Sequence, residues 1–276
     1  MTTALKIAFV GGGNMAAALI AGLAGKLTAG SNIHVVDPHP PALEKLHGQF
    51  GVSTASSASD ALRAVDVIVL AVKPQSMKEV TAQLLPFIDI VKAPLVLSIA
   101  AGIRATDLSR WLGNYPAIVR CMPNTPALIG MGITGLVASS GVTATQKDQA
   151  DAILQAVGST VWLDDEAQID PVTAVSGSGP AYVFYFIEAM QQAASELGLT
   201  AEQGAQLAIA TFTGAAQLAA QSTEAVSLLR ERVTSKGGTT YAALTSMEES
   251  GVKAAIVKAV KAAAERGREM GDELGK

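Results

Sequence analysis

The chain has 276 residues, of which 49% are hydrophobic and 16% are charged. This composition is typical of a packed globular protein with room for two modest domains, and it excludes an intrinsically disordered chain. The formal net charge is -4 and no run of Lys or Arg occurs, so we do not expect a nucleic-acid partner. A single cysteine, Cys121, excludes a disulfide framework and favours a reducing compartment.

The sequence also argues against secretion and against a membrane location. The first residues show no charged segment followed by an apolar segment, so we expect no signal peptide. The longest apolar runs, such as residues 67–72 and 182–187, are far too short to span a bilayer. We therefore expect a cytoplasmic protein with no membrane partner.

A glycine-rich turn follows the first apolar run, Ile7–Val10, and precedes an Ala-rich segment that predicts a helix over residues 16–27. Gly11, Gly13 and Ala16 have the Gly-x-Gly-x-x-Ala spacing of turns that bind dinucleotides. In such a turn the first glycine permits the tight bend and the second lets the backbone approach the pyrophosphate. The third small residue lets the helix pack closely on the strand.

The helix that this turn opens would hold the phosphates. Asn14 and Met15 stand in its first turn, where unpaired N–H groups and a partial positive charge favour an anion. The second apolar run, Ile33–Val36, ends in Asp37, roughly twenty residues beyond the turn, where an acidic side chain would bind the ribose 2′-OH of NAD. The alternative is a glycine-rich turn in an unrelated α/β protein.

Three further apolar runs, residues 67–71, 95–99 and 117–122, predict parallel strands that are covered on both faces. Ligands of open α/β sheets bind at the carboxyl ends of the strands, so we expect the residues at these ends to form walls of the nucleotide site. These residues are Ala71, Val72, Lys73, Pro74, Ile99, Ala100, Ala101 and Met122. The Lys73 side chain either contacts a phosphate or ribose or is a surface cation, and both interpretations stay open.

Strand and helix patterns alternate up to about Trp162, and only helical patterns follow from Asp170. The helical patterns cover residues 181–197, 202–221, 224–233, 241–250 and 252–274. This change predicts a Rossmann α/β domain with a doubly wound, mainly parallel sheet over residues 1–165, and an all-helical domain over residues 166–276. The helices carry long apolar stripes with little polar coverage, so we expect a homodimer made through the second domain.

Two breaks interrupt these helical patterns. Residues 176–180 do not fit the nucleophile elbow of serine hydrolases, because Ser176 stands where that motif needs glycine. We interpret them as a loop whose backbone approaches a ligand. Residues 233–240 combine a glycine pair with Thr239 and Thr240 at the predicted start of a helix, which favours a carboxylate site over a merely capped, flexible loop.

The residues favour hydride transfer to a carbon–nitrogen double bond. Reduction of a ketone needs a proton donor, yet residues 148–235 contain no Lys and no His. A protonated imine carries its own proton, so positioning and a carboxylate clamp can supply most of the catalysis. The three histidines, His34, His39 and His47, all flank the predicted cofactor side, and we expect no metal site.

With these motifs in place, the chain resembles the pyrroline-5-carboxylate reductase family over essentially its full length. The matching segments are residues 11–16, 71–74, 120–126, 174–181 and, most specifically, 233–240. The resemblance implies reduction of 1-pyrroline-5-carboxylate, an imine acid, to L-proline by hydride from NADPH or NADH, the final step of proline biosynthesis. It also implies an N-terminal Rossmann domain and an all-helical dimerisation domain, with dimers that associate further into a ring of five.

The resemblance implies roles for single residues as well. Ser235 and the backbone of Gly238 and Thr239 would hold the substrate carboxylate, and Thr240 would hydrogen-bond the ring nitrogen. Ser235 and Thr240 are therefore the predicted catalytic residues, and Pro180 is a further predicted substrate contact. The nicotinamide would lie against the walls formed at the ends of the last two predicted strands.

Three positions depart from the family pattern. Lys236 stands where the family often has Pro, and we interpret it as a charge on the loop surface. Ala58 stands where the family often has an Asn that contacts the adenosine. Asp37 favours an unphosphorylated ribose, and residues 31–44 hold no Lys or Arg that could bind a 2′-phosphate. Many members of the family use NADPH, but from these residues we expect this chain to use NADH or both nucleotides.

Two other classes of function stay open on the residues alone. Another two-domain NAD(P)-dependent dehydrogenase, acting on an imine or a β-hydroxyacid, would share the Rossmann half. The β-hydroxyacid type, however, needs a catalytic Lys on the helix at residues 182–197, which has none. A non-catalytic nucleotide-binding regulator would not need the segment at residues 233–240.

Overall fold

The computed structural model describes residues 5–88 and 91–276. These residues form two compact units. The first contains the described residues up to Ser178 together with Ala263–Lys276, and the second is Gly179–Ala262. Residues 166–178 therefore belong with the first unit, while the domain boundary that we predict after residue 165 stays a prediction.

The first unit is built on one eight-stranded sheet. Its strands are β1 (Ile7–Val10), β2 (Ile33–Val36), β3 (Ser53–Ala55), β4 (Val67–Leu70), β5 (Leu95–Ser98), β6 (Ile118–Met122), β7 (Gly132–Ala138) and β8 (Gly158–Trp162). The spatial order is β3-β2-β1-β4-β5-β6-β7-β8, and only β7 and β8 run against the other six. This doubly wound, mainly parallel sheet confirms the predicted Rossmann architecture.

Helices cover both faces of the sheet. They are α1 (Asn14–Leu23), α2 (Pro40–Phe50), α3 (Met77–Leu84), α4 (Ala105–Trp111), α5 (Ala144–Gln155) and α6 (Ile169–Val172). Because successive side chains of a strand point to opposite faces, Ile7 and Phe9 join the core with α1, α2 and α5, whereas Ala8 and Val10 join the core with α3 and α4. Apolar residues at every position of the central strands follow directly from this double coverage.

A buried arginine ties residues 166–178 to the sheet. Arg120 on β6 is 3% exposed and its Nη1 donates to Glu166 Oε1 at 3.0 Å. The same carboxylate oxygen accepts the backbone N–H of Ala105 at 2.7 Å, and Asp170 Oδ1 lies 3.7 Å from Arg120 Nη2. A buried cation needs such partners, and breaking a buried pair typically costs about 3–5 kcal/mol.

The end of the chain packs on the first unit as well. The last helix, α11 (Val252–Leu274), begins in the second unit and ends in the first. Arg104 donates to Asp272 at 2.6 Å, and Lys78 donates to the carbonyl of Lys276 at 2.8 Å. A β-carbon added at Gly271 would lie 3.2 Å from the Arg104 guanidinium, so the absence of a side chain there allows the close approach.

The second unit is helical. It consists of α7 (Gly179–Glu196), α8 (Ala201–Gln221), α9 (Val226–Arg232), α10 (Thr239–Glu249) and the first part of α11. All five helices were predicted, with bounds that agree to within two residues. None of the helices among the described residues is long and apolar enough to cross a membrane.

The second unit has almost no core of its own. Only Gly204 and Ala208 are buried among residues 179–262. Large apolar side chains such as Phe184, Leu207 and Leu218 are between 56% and 60% exposed. An exposed apolar surface of this extent indicates a face that another molecule covers.

The predicted loop at residues 176–180 is wrong for most of its length. Thr173–Gly177 form a π-helical turn after α6, and Ser178 N–H donates to the Thr173 carbonyl at 2.8 Å. Gly179 and Pro180 already belong to the first turn of α7. Proline is tolerated there because the first N–H groups of a helix have no intrahelical partner. The Ser and Gly residues that suggested a loop are accommodated in helical turns instead.

The side chain of His34 on β2 is held in its neutral form. Its Nδ1 lies 2.9 Å from Ser53 Oγ on β3, and its buried Nε2 has no hydrogen-bond partner among the described residues. The Ser53 hydroxyl donates to the carbonyl of Ile33 at 3.2 Å, so the Nδ1–H of His34 donates to Ser53. Burial lowers the pKa of His34 below its ordinary value of 6.5.

We expect His34 to make the protein less stable in mild acid. The unfolded chain binds a proton at His34 more tightly than the folded chain, so the free energy of unfolding falls as the pH decreases through 6.5 towards the lowered pKa. Thermal unfolding at pH 7.5 and 5.5 should therefore show a smaller loss of Tm for His34→Gln than for the wild type. His39→Gln, at an imidazole that is 84% exposed, is the control, and equal losses in all three proteins would contradict the assignment.

Candidate active site

The carboxyl ends of the central strands meet along one edge of the sheet. Val10 at the end of β1 pairs with Val36 on one side and with Leu70 on the other, and Leu70 pairs with Ser98. The ladder continues beyond the strands, because Ala71 N–H donates to the Val10 carbonyl at 2.8 Å. The segments that follow β1, β2, β4 and β5 therefore start side by side.

A cavity of about 560 Å³ lies at the β1, β2 and β4 part of this edge. Six of the predicted cofactor residues line it: Gly11, Gly13, Asp37, Ala71, Val72 and Lys73. Sequence reasoning missed several other lining residues, among them His39, Ser56, Ser57, Ser76 and Glu79. Ser56 and Ser57 follow β3, a three-residue strand with no apolar run to predict it. A volume of this size suits a nucleotide rather than a single small metabolite.

Gly11 and Gly13, the two glycines of the dinucleotide-binding motif, lack a side chain for different structural reasons. Gly11 has φ +101°, and a β-carbon there would lie 2.6 Å from the Ala71 carbonyl oxygen, so the fold itself requires glycine. A β-carbon on Gly13 would meet no heavy atom of residues 5–88 or 91–276 within 4 Å. Gly13 thus presents bare backbone to the cavity, where a ligand can approach it closely.

The start of α1 offers unpaired N–H groups at the same place. Gly13 is the N-cap residue and no side chain caps the helix, so the first-turn N–H groups of Asn14 and Met15 receive no acceptor from a capping side chain. Ala16 is 1% exposed and joins the core that contains Phe9. This geometry can bind an anion at the helix N-terminus while the helix stays packed on the sheet.

The carboxylate of Asp37 is fixed at the end of β2. Oδ2 accepts the backbone N–H of Gly12 at 2.7 Å, and Oδ1 accepts the backbone N–H of His39 at 2.8 Å. The Asp37 side chain is 16% exposed, and the His39 Nδ1 lies 3.9 Å from Oδ1. Each carboxylate oxygen keeps a free lone pair, so Asp37 can still accept hydrogen bonds from a ligand in the cavity.

Eight predicted cofactor residues are not among those that line this cavity: Asn14, Met15 and Ala16 in α1, and five residues at neighbouring strand ends. Pro74 opens a 3₁₀ turn after β4, and Ile99 N–H donates to the Leu70 carbonyl at 3.1 Å, which extends the ladder beyond β5. Ala100 and Ala101 follow Ile99 directly, and Met122 is the last residue of β6. The edge thus continues from the cavity towards β6.

The neighbouring Cys121 is a packing residue. It is 1% exposed, and burial raises the pKa of its thiol, which stays protonated. No group of three or more His, Cys, Asp or Glu side chains that could hold a metal ion occurs within the described parts of the chain.

The predicted substrate loop lies between α9 and α10 in the second unit. Gly237 has φ +78°, and Gly238 N–H donates to the Ser235 carbonyl at 3.0 Å. A β-carbon on Gly238 would lie 2.7 Å from Ser235 Oγ, so the Ser235 hydroxyl sits directly against the backbone at the start of α10. Only glycine allows this contact, which places a hydroxyl beside a helix N-terminus.

The start of α10 is likewise uncapped. Gly238 is its N-cap residue and makes no side-chain capping bond, so the N–H groups of Thr239 and Thr240 keep room for an external acceptor. Lys236 and Ser235 are exposed, and Thr240 is half-buried. Pro180, in the first turn of α7, is half-buried too. This loop can hold a carboxylate by the same physics that lets the start of α1 hold a phosphate.

Comparison with known families adds to this geometry. Residues 166–270 match the family model described as pyrroline-5-carboxylate reductase dimerisation, and residues 6–102 match the model described as NADP oxidoreductase, coenzyme F420-dependent. The chain is similar to the pyrroline-5-carboxylate reductase of Pseudomonas aeruginosa, with 46% identity over 270 residues that cover 98% of each chain.

Two solved structures are similar over the whole chain. A pyrroline-5-carboxylate reductase from Coxiella burnetii has a TM-score of 0.92 and 38% identity, covering 97% of this chain and 99% of its own. A Plasmodium falciparum pyrroline carboxylate reductase with NADP bound has a TM-score of 0.85 and 31% identity, covering 97% and 98%. These similarities confirm the resemblance found in the motifs, and the chain belongs to the pyrroline-5-carboxylate reductase family.

Proposed function

We infer that the chain reduces 1-pyrroline-5-carboxylate to L-proline with hydride from NADH or NADPH, the final step of proline biosynthesis. The observation that carries this function is the glycine-rich turn beside a nucleotide-sized cavity, in a chain whose full length matches reductases of this family. Bound NAD(P)H supplies the hydride, and the protein supplies binding and orientation.

The residues around the cavity fit a dinucleotide. The open side of Gly13 and the unpaired N–H groups at the start of α1 are proposed to hold the pyrophosphate. Asp37 is proposed to accept hydrogen bonds from the adenosine ribose through its two remaining lone pairs. Ala71, Val72, Lys73 and Pro74 would follow the nucleotide along the end of β4.

The nicotinamide is proposed to lie further along the same edge. Ile99, Ala100 and Ala101 extend beyond β5, and Met122 ends β6, so the four residues form an apolar wall at adjacent strand ends. Such an apolar wall would exclude water from one face of the ring.

The substrate is proposed to bind through the loop before α10. Ser235 and the backbone N–H groups of Gly238 and Thr239 would hold its carboxylate, and Thr240 would hydrogen-bond its ring nitrogen. Pro180 is proposed as an apolar contact to the ring. Since the protonated imine brings its own proton, Ser235 and Thr240 contribute by orienting the ring rather than by acid–base transfer.

The chain carries the dimerisation domain of its family and forms homo-oligomers. We further propose a homodimer made through the helical half, with dimers associated into a ring of five. The exposed apolar helices of the second unit support the dimer, because a second copy would give them the core they lack. A cytoplasmic location is proposed for the same chain on the grounds of its sequence.

The first test measures turnover with each nucleotide. With racemic pyrroline-5-carboxylate, wild type should oxidise NADH with a higher kcat/KM than NADPH, because the fixed Asp37 carboxylate repels a 2′-phosphate. Asp37→Ser should shift the kcat/KM ratio towards NADPH by about tenfold. Glu79→Gln removes another carboxylate from the same cavity and should leave the ratio unchanged. Nucleotide binding without turnover would instead favour another imine acid or a regulatory protein.

The second test concerns the substrate loop. Thr240→Ala should lower kcat/KM for the imine by about 10- to 100-fold, because a misoriented ring costs rate of this order. Thr240→Ser keeps the hydroxyl and should recover most of the activity. Lys236→Ala changes an exposed charge in the same loop and should stay within a few-fold of wild type. Unchanged kinetics in Thr240→Ala would remove Thr240 from the mechanism.

The third test concerns assembly. The mass in solution, measured by light scattering, should correspond to a dimer or to a multiple of dimers. Phe184→Glu puts a charge on a side chain of α7 that is 60% exposed, and it should reduce the mass to that of a single chain. Leu27→Glu, at a residue of the first unit that is 40% exposed, should leave the mass unchanged. A monomeric wild type would contradict the proposed dimer.

A further inference from the structure

Asn124 occupies a position where asparagine ordinarily caps a helix, but its side chain does something else. It is the N-cap residue of the 3₁₀ turn Thr125–Ile129, yet it makes no capping bond. Its side chain is instead buried, and the residue is 9% exposed. Nδ2 donates to the carbonyl of Ser176 at 3.1 Å, and Oδ1 accepts the N–H of Ile133 at 3.0 Å.

The hydrogen bond from Asn124 to the Ser176 carbonyl replaces a backbone donor that the helix lacks. In an α-helix the carbonyl of Ser176 would accept the N–H four residues later, but that residue is Pro180, which has no N–H. A carbonyl left without a donor inside a protein is costly. Asn124 supplies the missing donor, and a carboxylate or an apolar side chain at position 124 could not.

A second contact links the same two segments. A β-carbon on Gly177 would lie 2.5 Å from Met122 Cε, so the Met122 side chain rests directly on the bare backbone of the π-helical turn. Met122 precedes Asn124 by two residues, and Gly177 follows Ser176. The end of β6 and the π-helical turn are therefore joined at two adjacent points, one polar and one apolar.

We propose that Asn124 is a positioning residue that holds the π-helical turn against Met122 and so fixes the wall on which the nicotinamide lies. This inference rests on the proposed function, because it takes Met122 as part of that wall. Single π-helical turns in other proteins are frequently found at functional sites, which agrees with a π-helical turn that contacts Met122. In this proposal Asn124 acts on the reaction through Met122, by its hydrogen bonds to Ser176 and Ile133.

The decisive variant is Asn124→Asp, which keeps an acceptor for Ile133 N–H and removes the donor to Ser176. We expect kcat to fall at least about tenfold. The Kd of NADH should stay within about threefold, because the turn at Gly13 and Asp37 is untouched. The deuterium isotope effect on kcat, with NADH labelled at C4, should rise as hydride transfer becomes slower relative to the other steps.

A readout independent of turnover is the fluorescence of bound NADH, which reports on the surroundings of the nicotinamide. Its anisotropy should fall and its emission should shift towards that of free NADH in Asn124→Asp. Gly177→Ala should change the same signals without removing a hydrogen bond, because the added methyl group displaces Met122. This second variant keeps the test decisive if Asn124→Asp does not fold.

Tyr115→Phe is the matched control for stability alone. It removes a buried hydrogen bond to the Pro94 carbonyl in the same unit, and it should lower Tm while leaving kcat, the isotope effect and the fluorescence unchanged. The inference is overturned if Asn124→Asp, or Gly177→Ala in its place, behaves like this control in bound-NADH fluorescence and isotope effect. Wild type without turnover but with the expected fluorescence differences would contradict the proposed function and leave Asn124 as the positioning residue of a nucleotide site.

Discussion

The close approach of Gly11 to the Ala71 carbonyl is the contact on which the candidate site depends. The distance is too short for any side chain at residue 11, so the turn after β1 can pass directly over the end of β4. As a result α1 starts at the edge of the sheet, and its N-cap residue, Gly13, lines the cavity. The carboxylate of Asp37 then reaches the Gly12 N–H from the next strand, which fixes the turn from its other side. A close backbone contact and one fixed carboxylate together shape this part of the molecule.

Local signals predicted much of this arrangement because the relevant residues are close in sequence. β1 and β2 have the predicted bounds, since strands that are buried on both faces leave uninterrupted apolar runs. β7 and β8 were not predicted, because each of them begins with a glycine. They begin at Gly132 and Gly158, whose backbones approach so closely that a β-carbon on Gly158 would lie 1.9 Å from the Gly132 carbonyl oxygen. In a sequence such glycines indicate a turn, whereas here they allow two strands to pair.

Contacts between distant residues could not be predicted in the same way. Ser56 and Ser57 join the cavity only because β3 lies beside β2, an order that is set by the whole sheet. Asn124 and Ser176 are 52 residues apart, and nothing in either local pattern indicates their hydrogen bond. Residues 176–180, which end the π-helical turn and begin α7, were predicted as a loop because clusters of Ser, Gly and Pro locally indicate one. In each of these places the structure depends on contacts with distant residues, which the local sequence does not indicate.

The return of the chain end to the first unit has a consequence for how the protein is made. The ribosome synthesises the sheet before the second unit, and Ala263–Lys276 after the second unit. Arg104 can therefore bind Asp272 only after the whole of the second unit has been made, so the sheet-bearing unit gains these contacts late in synthesis. A chain that lacks residues 263–276 would lose contacts in the nucleotide-binding half, although these residues lie more than one hundred positions beyond β8.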